Sequence, residues 1–198
     1  ILDTCAERLT DEQSVERVKE ADPRLICFVV YGQNPNSGTV NMSGTTAMAS
    51  AIKKAGIEIP IAVVGSHVQA LPYETLSKEQ DIDIAFTNEG VYALRNLLKQ
   101  ENLTDVQTLE KVNGIGFRKD GKVMLTTPEK IVPQARMDID LPGYAWDLLP
   151  YKEKPLDLYR APMWHAEYIE DNRSPYAALY TSLGCMFKCS FCMINILN

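Results

Sequence analysis

The chain has little positive charge. Its 20 Lys and Arg stand against 26 Asp and Glu, a formal net charge of −6, which argues against a broad nucleic-acid-binding face. Long apolar runs are missing too: none approaches the ~20 residues that a membrane-spanning helix needs, and no secretory signal opens the sequence. Neither Gly-x-Gly-x-x-Gly nor a P-loop pattern occurs, so a dinucleotide or a nucleoside triphosphate has no positive support. Histidine is scarce, with His67 and His165 alone. Cysteine is limited to five, three of them in one short loop, and this usage fits a reducing, cytoplasmic setting better than a disulfide framework. The 45% hydrophobic content over 198 residues suffices for one core and part of another.

The pattern of elements is legible in order. Ile1-Leu-Asp3 reads as the tail of a strand. Thr10-Asp-Glu-Gln13 is a capping box that opens a short helix with Val15 and Val18 on one face, stopped at Ala21-Asp-Pro23. Leu25 to Tyr31 is a continuous apolar run, as expected of a parallel strand buried on both faces. The polar loop Gly32 to Thr39 follows, then a helix from about Thr45 to Ala55. Further strands are expected at Ile59–Val64 and Ile82–Phe86. A short helix around Tyr73 to Glu79 separates them, and a helix with Val91, Leu94, Leu97 and Leu98 on one face follows. This alternation predicts an α/β fold with a doubly wound, Rossmann-like parallel sheet. Gly114 to Thr126 reads as a hairpin around Asp120-Gly121, closing a first domain over residues 1–127.

Residues 128–175 form a Pro- and aromatic-rich strap carrying Tyr144, Trp146, Tyr151, Tyr159 and Trp164. It is too aromatic for a disordered linker, and packing is the simpler role for Trp164 and His165. From 176 a second unit begins, with Tyr176 to Tyr180 as its first strand. The sequence then reads Cys185-Met-Phe-Lys-Cys189-Ser-Phe-Cys192, three soft thiolate donors in the spacing C-x3-C-x2-C. A zinc site completed by His67 or His165 is the plain alternative, but zinc motifs come as paired C-x2-C units and here only one pair has that spacing. A chance cluster of thiols is the other. Cys27, inside an apolar run, is most simply a core thiol.

The cysteine spacing, the aromatic Phe191 before the third cysteine and the preceding strand together resemble the cluster loop of radical S-adenosylmethionine enzymes. That resemblance implies a 4Fe-4S cluster on Cys185, Cys189 and Cys192, with the fourth iron open to S-adenosylmethionine. Phe191 would shape the adenine pocket. Cluster loops of this kind stand at the C-terminal end of a (β/α) barrel strand. A whole barrel takes about 250 residues, so the chain reads as part of a larger protein.

Upstream, Val63-Val-Gly-Ser-His-Val-Gln-Ala-Leu-Pro-Tyr-Glu-Thr-Leu76 and Asn88-Glu-Gly90 resemble the cobalamin-binding domain found before many such barrels. Ser66 stands where that family commonly has the second glycine of Gly-Gly-x-His, and Tyr31-Gly-Gln33 where vitamin-B12 proteins carry Ser-x-Leu. The loop with an axial histidine would lie upstream of Ile1.

Open α/β sheets bind ligands beyond the carboxyl ends of their strands. The expected cobalamin contacts are therefore Tyr31, Gly32, Gln33, Asn34, Gly65, Ser66, His67, Asn88, Glu89 and Gly90, with Gly32 and Gly65 allowing close backbone approach. His67 has two readings, a corrin neighbour or a structural hydrogen bonder, and the polarity of these loops is also what any βα loop shows.

The family resemblance implies a cobalamin-dependent radical enzyme that methylates an unactivated carbon of a small-molecule or peptide substrate, with flavodoxin or ferredoxin as reductant. Radical ring closure or rearrangement, methylthiotransfer, and a non-catalytic cobalamin or iron–sulfur module are the alternatives. Methylthiotransfer calls for three further cluster cysteines, and only Cys5 and Cys27 are available.

Overall fold

A computed structural model describes residues 1–4, 7–31, 38–149 and 187–190. The expected barrel strand, the strap beyond residue 149, Cys5, Gly32, Gln33, Asn34, Cys185, Phe191 and Cys192 lie outside the described residues. The rest is an α/β unit built on a five-stranded open sheet in the order β1-β2-β3-β4-β5.

Helix α1 spans Asp11–Ala21. Its start is the expected capping box: Thr10 Oγ1 accepts from the Gln13 amide, and the Gln13 side chain returns the bond to the Thr10 amide at 2.9 Å. It ends where expected, with Asp22 turning left-handed before Pro23. β1 (Ile26–Val30) and β2 (Ile61–Gly65) run parallel in the register Ile26↔Ile61 to Val30↔Gly65. They are joined by α2 (Gly38–Lys54). β3 (Ile84–Phe86) continues the parallel part after α3 (Ser66–Ala70) and α4 (Pro72–Lys78). α5 (Val91–Leu98) and the single turn α6 (Val106–Leu109) precede the hairpin β4 (Ile115–Lys119) and β5 (Lys122–Leu125).

The hairpin does more than close the domain. β4 pairs antiparallel with β3 and so extends the sheet. Asp120 and Gly121 both have positive φ, 49° and 73°, the geometry that a two-residue primed turn demands.

Helices cover both faces, as the doubly wound reading requires. On one face Val15, Met42, Ala49, Ile52, Val68 and Leu76 pack against Ile26, Val30, Ile61, Val63 and Ala85. On the other, Ala93, Leu97, Leu109 and Val112 pack against Ala62, Val64, Ile84, Phe86, Ile115 and Phe117. Below the strands, Asp83 Oδ2 accepts from the Ile61 amide at 2.8 Å and pairs with Lys53 at 3.0 Å. Arg118 donates to the carbonyls of Leu76, Gln80 and Ile82. This staple satisfies chain-end carbonyls that would otherwise be orphaned.

Several expectations are corrected. Ile1-Leu-Asp3 is not a strand, and Ile1 is 75% exposed. α2 begins at Gly38, not near Thr45, because burial of Met42, Ala49 and Ile52 overrides the weak helix propensity of its Gly- and Thr-rich start. β1 is not buried on both faces. It is an edge strand among the described residues, and Val29 is 69% exposed. On α5 the core residues are Ala93 and Leu97, while Leu98 faces solvent.

Phe86 is fully buried at the last position of β3. Phe86→Ala is expected to lower unfolding free energy by roughly 3–5 kcal/mol, read as a shifted urea midpoint with an unchanged slope.

Candidate functional site

The carboxyl ends of β1 and β2 lie side by side, and what brings them flush is Gly65. It sits at φ 154° against the end of β1. A Cβ added there would fall 2.1 Å from the Val30 carbonyl oxygen and 2.7 Å from its carbon, a separation that backbone atoms cannot tolerate. The close approach at Gly65 is therefore to the neighbouring strand. The residue is required by the sheet itself, whatever binds above it.

Because β2 ends flush, α3 starts at the next residue. Ser66 is buried and His67 half-buried at the start of this turn. Thr39, in the first turn of α2, sets its Oγ1 3.0 Å from His67 Nδ1, which supports the structural role weighed for this histidine. Tyr31, just past β1, is held from two sides. Asn41 Nδ2 donates to its carbonyl at 3.0 Å, and Gln69 Nε2 donates to its hydroxyl at 3.3 Å. Gln69 is 8% exposed, and its Oε1 meets no hydrogen-bond partner among the described residues. Buried polar atoms seldom stay unpaired, so an orphaned acceptor at this edge fits a ligand that brings a donor. The sequence reading passed over Gln69. Nothing in its spacing marked it, since its reach to Tyr31 depends on α3 starting at Ser66.

The third loop is engaged differently. Asn88 Oδ1 accepts from the Gly90 amide at 2.9 Å, and Asn88 Nδ2 donates to the Glu129 carbonyl at 3.0 Å. Glu89 Oε1 accepts from the Val132 amide at 2.8 Å, and Glu129 accepts from Asn96. Gly90 is the left-handed residue that opens α5. Asn88 and Glu89 thus hold the chain leaving the sheet. Further along, α7 (Met137–Asp140) is tied to α5: Tyr92 donates to Asp140 at 2.5 Å, and Arg136 pairs with the same carboxylate. That bond to Asp140 raises the Tyr92 pKa, while Arg136 foremost lowers that of Asp140. Tyr144 and Trp146 stack on one another at 5.2 Å between centroids.

At the opposite end of the sheet a cavity of about 260 Å³ is lined by Lys53, Asp83 and Arg118 among others. These are the staple residues, already paired with one another or with carbonyls.

Cys189 is exposed, and no group of three metal-ligating side chains occurs among the described residues. Cys27 is the contrast: burial pushes its thiol up to about 11, which disfavours the thiolate that a metal needs. No helix among the described residues is long and apolar enough to cross a membrane.

No protein-family model matches the chain. Over 196 residues, 99% of the chain, it is 26% identical to an uncharacterized methyltransferase of Pyrococcus horikoshii, covering 37% of that protein. Over 200 residues, 93% of the chain, it is 27% identical to the cytidylyl-2-hydroxyethylphosphonate methyltransferase of Streptomyces wedmorensis, covering 35% of that protein. Over 194 residues, 97% of the chain, it is 25% identical to the anaerobic magnesium-protoporphyrin IX monomethyl ester cyclase of Synechocystis, covering 34% of that protein. The chain spans about a third of the length of these curated relatives. Two of these relatives are named for methyl transfer and the third for a cyclisation.

Gly65→Ala is expected to cost about 2 kcal/mol or more, since a strained φ adds to the clash. An unshifted urea midpoint would mean that the strand ends can part. In reduced, iron-free protein at pH 8, iodoacetamide is expected to label Cys27 far more slowly than Cys189, checked by peptide mass spectrometry. The Cys27 rate should rise only as pH climbs toward 11, because the thiolate alone reacts.

Proposed function

We propose that this chain belongs to a cobalamin-dependent radical S-adenosylmethionine enzyme, most simply a methyltransferase acting on an unactivated carbon. The observation that carries the reading is the C-x3-C-x2-C spacing of Cys185, Cys189 and Cys192 with Phe191, placed after an α/β sheet with a ligand-type edge. Two of the three relatives are named for methyl transfer and the third for a cyclisation. Ring closure is therefore the second reading of the same machinery.

The three cysteines would hold the 4Fe-4S cluster, and Phe191 the adenine of S-adenosylmethionine. The crevice above β1 and β2 would hold cobalamin, with Tyr31, Ser66, His67 and Gln69 along its edge. When bound, the cluster with S-adenosylmethionine supplies a hydrogen-abstracting radical and cobalamin a transferable methyl group. The work of the chain is to bind and orient. Asn41 and Gln69 fix Tyr31, and Thr39 fixes the His67 ring. Asn88 and Glu89 secure the segment that leads toward the cysteines. The substrate is a small molecule or peptide, and the reductant a flavodoxin or ferredoxin.

Methylthiotransfer is disfavoured by Cys27, whose raised pKa and place within β1 suit a core thiol. In anaerobically reconstituted full-length protein, Cys189→Ala is expected to abolish cluster absorbance and cleavage of S-adenosylmethionine to 5′-deoxyadenosine. Cys27→Ala should leave both intact. Full iron content and cleavage in the Cys189 variant would overturn the cluster assignment.

A further inference from the structure

We propose that Gln69 is a specificity residue for the cofactor, accepting a hydrogen bond from one of the carboxamides on the rim of the corrin ring. The inference rests on the cobalamin reading above and assigns the partner of a particular atom.

The argument starts from burial. Gln69 is 8% exposed, yet of its two amide ends one alone is engaged, through the 3.3 Å bond to the Tyr31 hydroxyl. Oε1 is buried and unpartnered among the described residues. Leaving such an atom unpaired costs about 1–3 kcal/mol, and a leucine or methionine there would avoid the cost. Turning the amide over does not help. A tyrosine hydroxyl both donates and accepts, so Tyr31 satisfies whichever end it meets and the other end stays bare.

Position then narrows the partner. Gln69 lies one turn into α3, directly beyond the end of β2, and its bond to Tyr31 bridges to the residue beyond the end of β1. That is the crevice where open α/β sheets take their ligands. A phosphate or a carboxylate offers acceptors alone at neutral pH, so it suits one setting of the amide and repels the other. A primary carboxamide carries both an N–H donor and a C=O acceptor, so it suits either setting. Cobalamin carries such groups around its ring, and its nucleotide tail carries hydroxyls that also donate. Cobinamide separates the two sources, for it keeps the ring amides and lacks the nucleotide.

The test uses full-length protein, with hydroxocobalamin and cobinamide as probes in equilibrium dialysis and the melting temperature of the cofactor-free protein alongside. Gln69→Leu and the more nearly isosteric Gln69→Met are expected to bind both corrinoids about tenfold more weakly. Their cofactor-free melting temperatures should stay about level, because removal of the orphaned acceptor offsets the lost bond to the Tyr31 hydroxyl. Unchanged affinity in the variants, with tight binding by the wild type, would overturn the inference and leave the cofactor reading standing. A loss seen with hydroxocobalamin but not with cobinamide would place the donor on the nucleotide tail and overturn the carboxamide assignment. A fall in melting temperature in Gln69→Met would mark the glutamine as structural, and also overturns it. Failure of the wild-type protein to bind hydroxocobalamin would overturn the cofactor reading itself, and this inference with it.

Discussion

The approach of Gly65 to the Val30 carbonyl is the constraint from which the upper edge of the sheet follows. At its unusual φ a side chain on Gly65 would point into the gap between the strands, and Gly65 has none. Its φ of 154° then turns the chain without a loop, so α3 begins at Ser66. With no loop, Ser66 is buried, His67 faces Thr39, and Gln69 comes within reach of Tyr31. A longer connection at this point would leave the edge polar but unorganised. This also accounts for the serine where the resembling family commonly has a second glycine. Ser66 stands inside the first turn of a helix, a place that needs no glycine conformation.

Much of the fold was legible because its determinants are local. The capping box at Thr10, the apolar runs of β1 to β3 and the Asp120-Gly121 turn each act within a few residues. The misreadings share a cause as well. α2 starts at Gly38 because Met42 and Ala49 reach the core, which no property of the Gly- and Thr-rich segment announces. Val29 is exposed because β1 lies at an edge of the described sheet, and a run of apolar residues carries no mark of its place in the strand order. The Arg118 staple joins carbonyls some forty positions away in the chain, beyond any window of local pattern.

The candidate site was legible in outline and not in chemistry. Glycines and polar residues at strand ends pointed to the edge where Tyr31, His67 and Gln69 come together, because parallel α/β sheets place their loops there by topology alone. What each side chain does depends on partners remote in sequence. His67 is organised by Thr39, Tyr31 by Asn41 and Gln69, and Asn88 by Glu129. Gln69 escaped notice for the same reason, since a lone glutamine in a short helix has no signature until its neighbours are known.

The strand ends at this edge consequently divide the labour. Beyond β1 and β2, Gln69 binds the Tyr31 hydroxyl while its Oε1 stays buried and unpartnered among the described residues. After β3, Asn88 and Glu89 instead hold Glu129 and Val132 of the departing chain. For these two to take hold of a ligand directly, the backbone at 129 and 132 would have to give up buried hydrogen bonds, a loss that is rarely recovered in a crevice open to water. The same anchoring continues through Asn96 with Glu129 and Tyr92 with Asp140, so the segment after the sheet is fastened to α5 twice before residue 149. A chain tied down in this way leaves the sheet in a set direction.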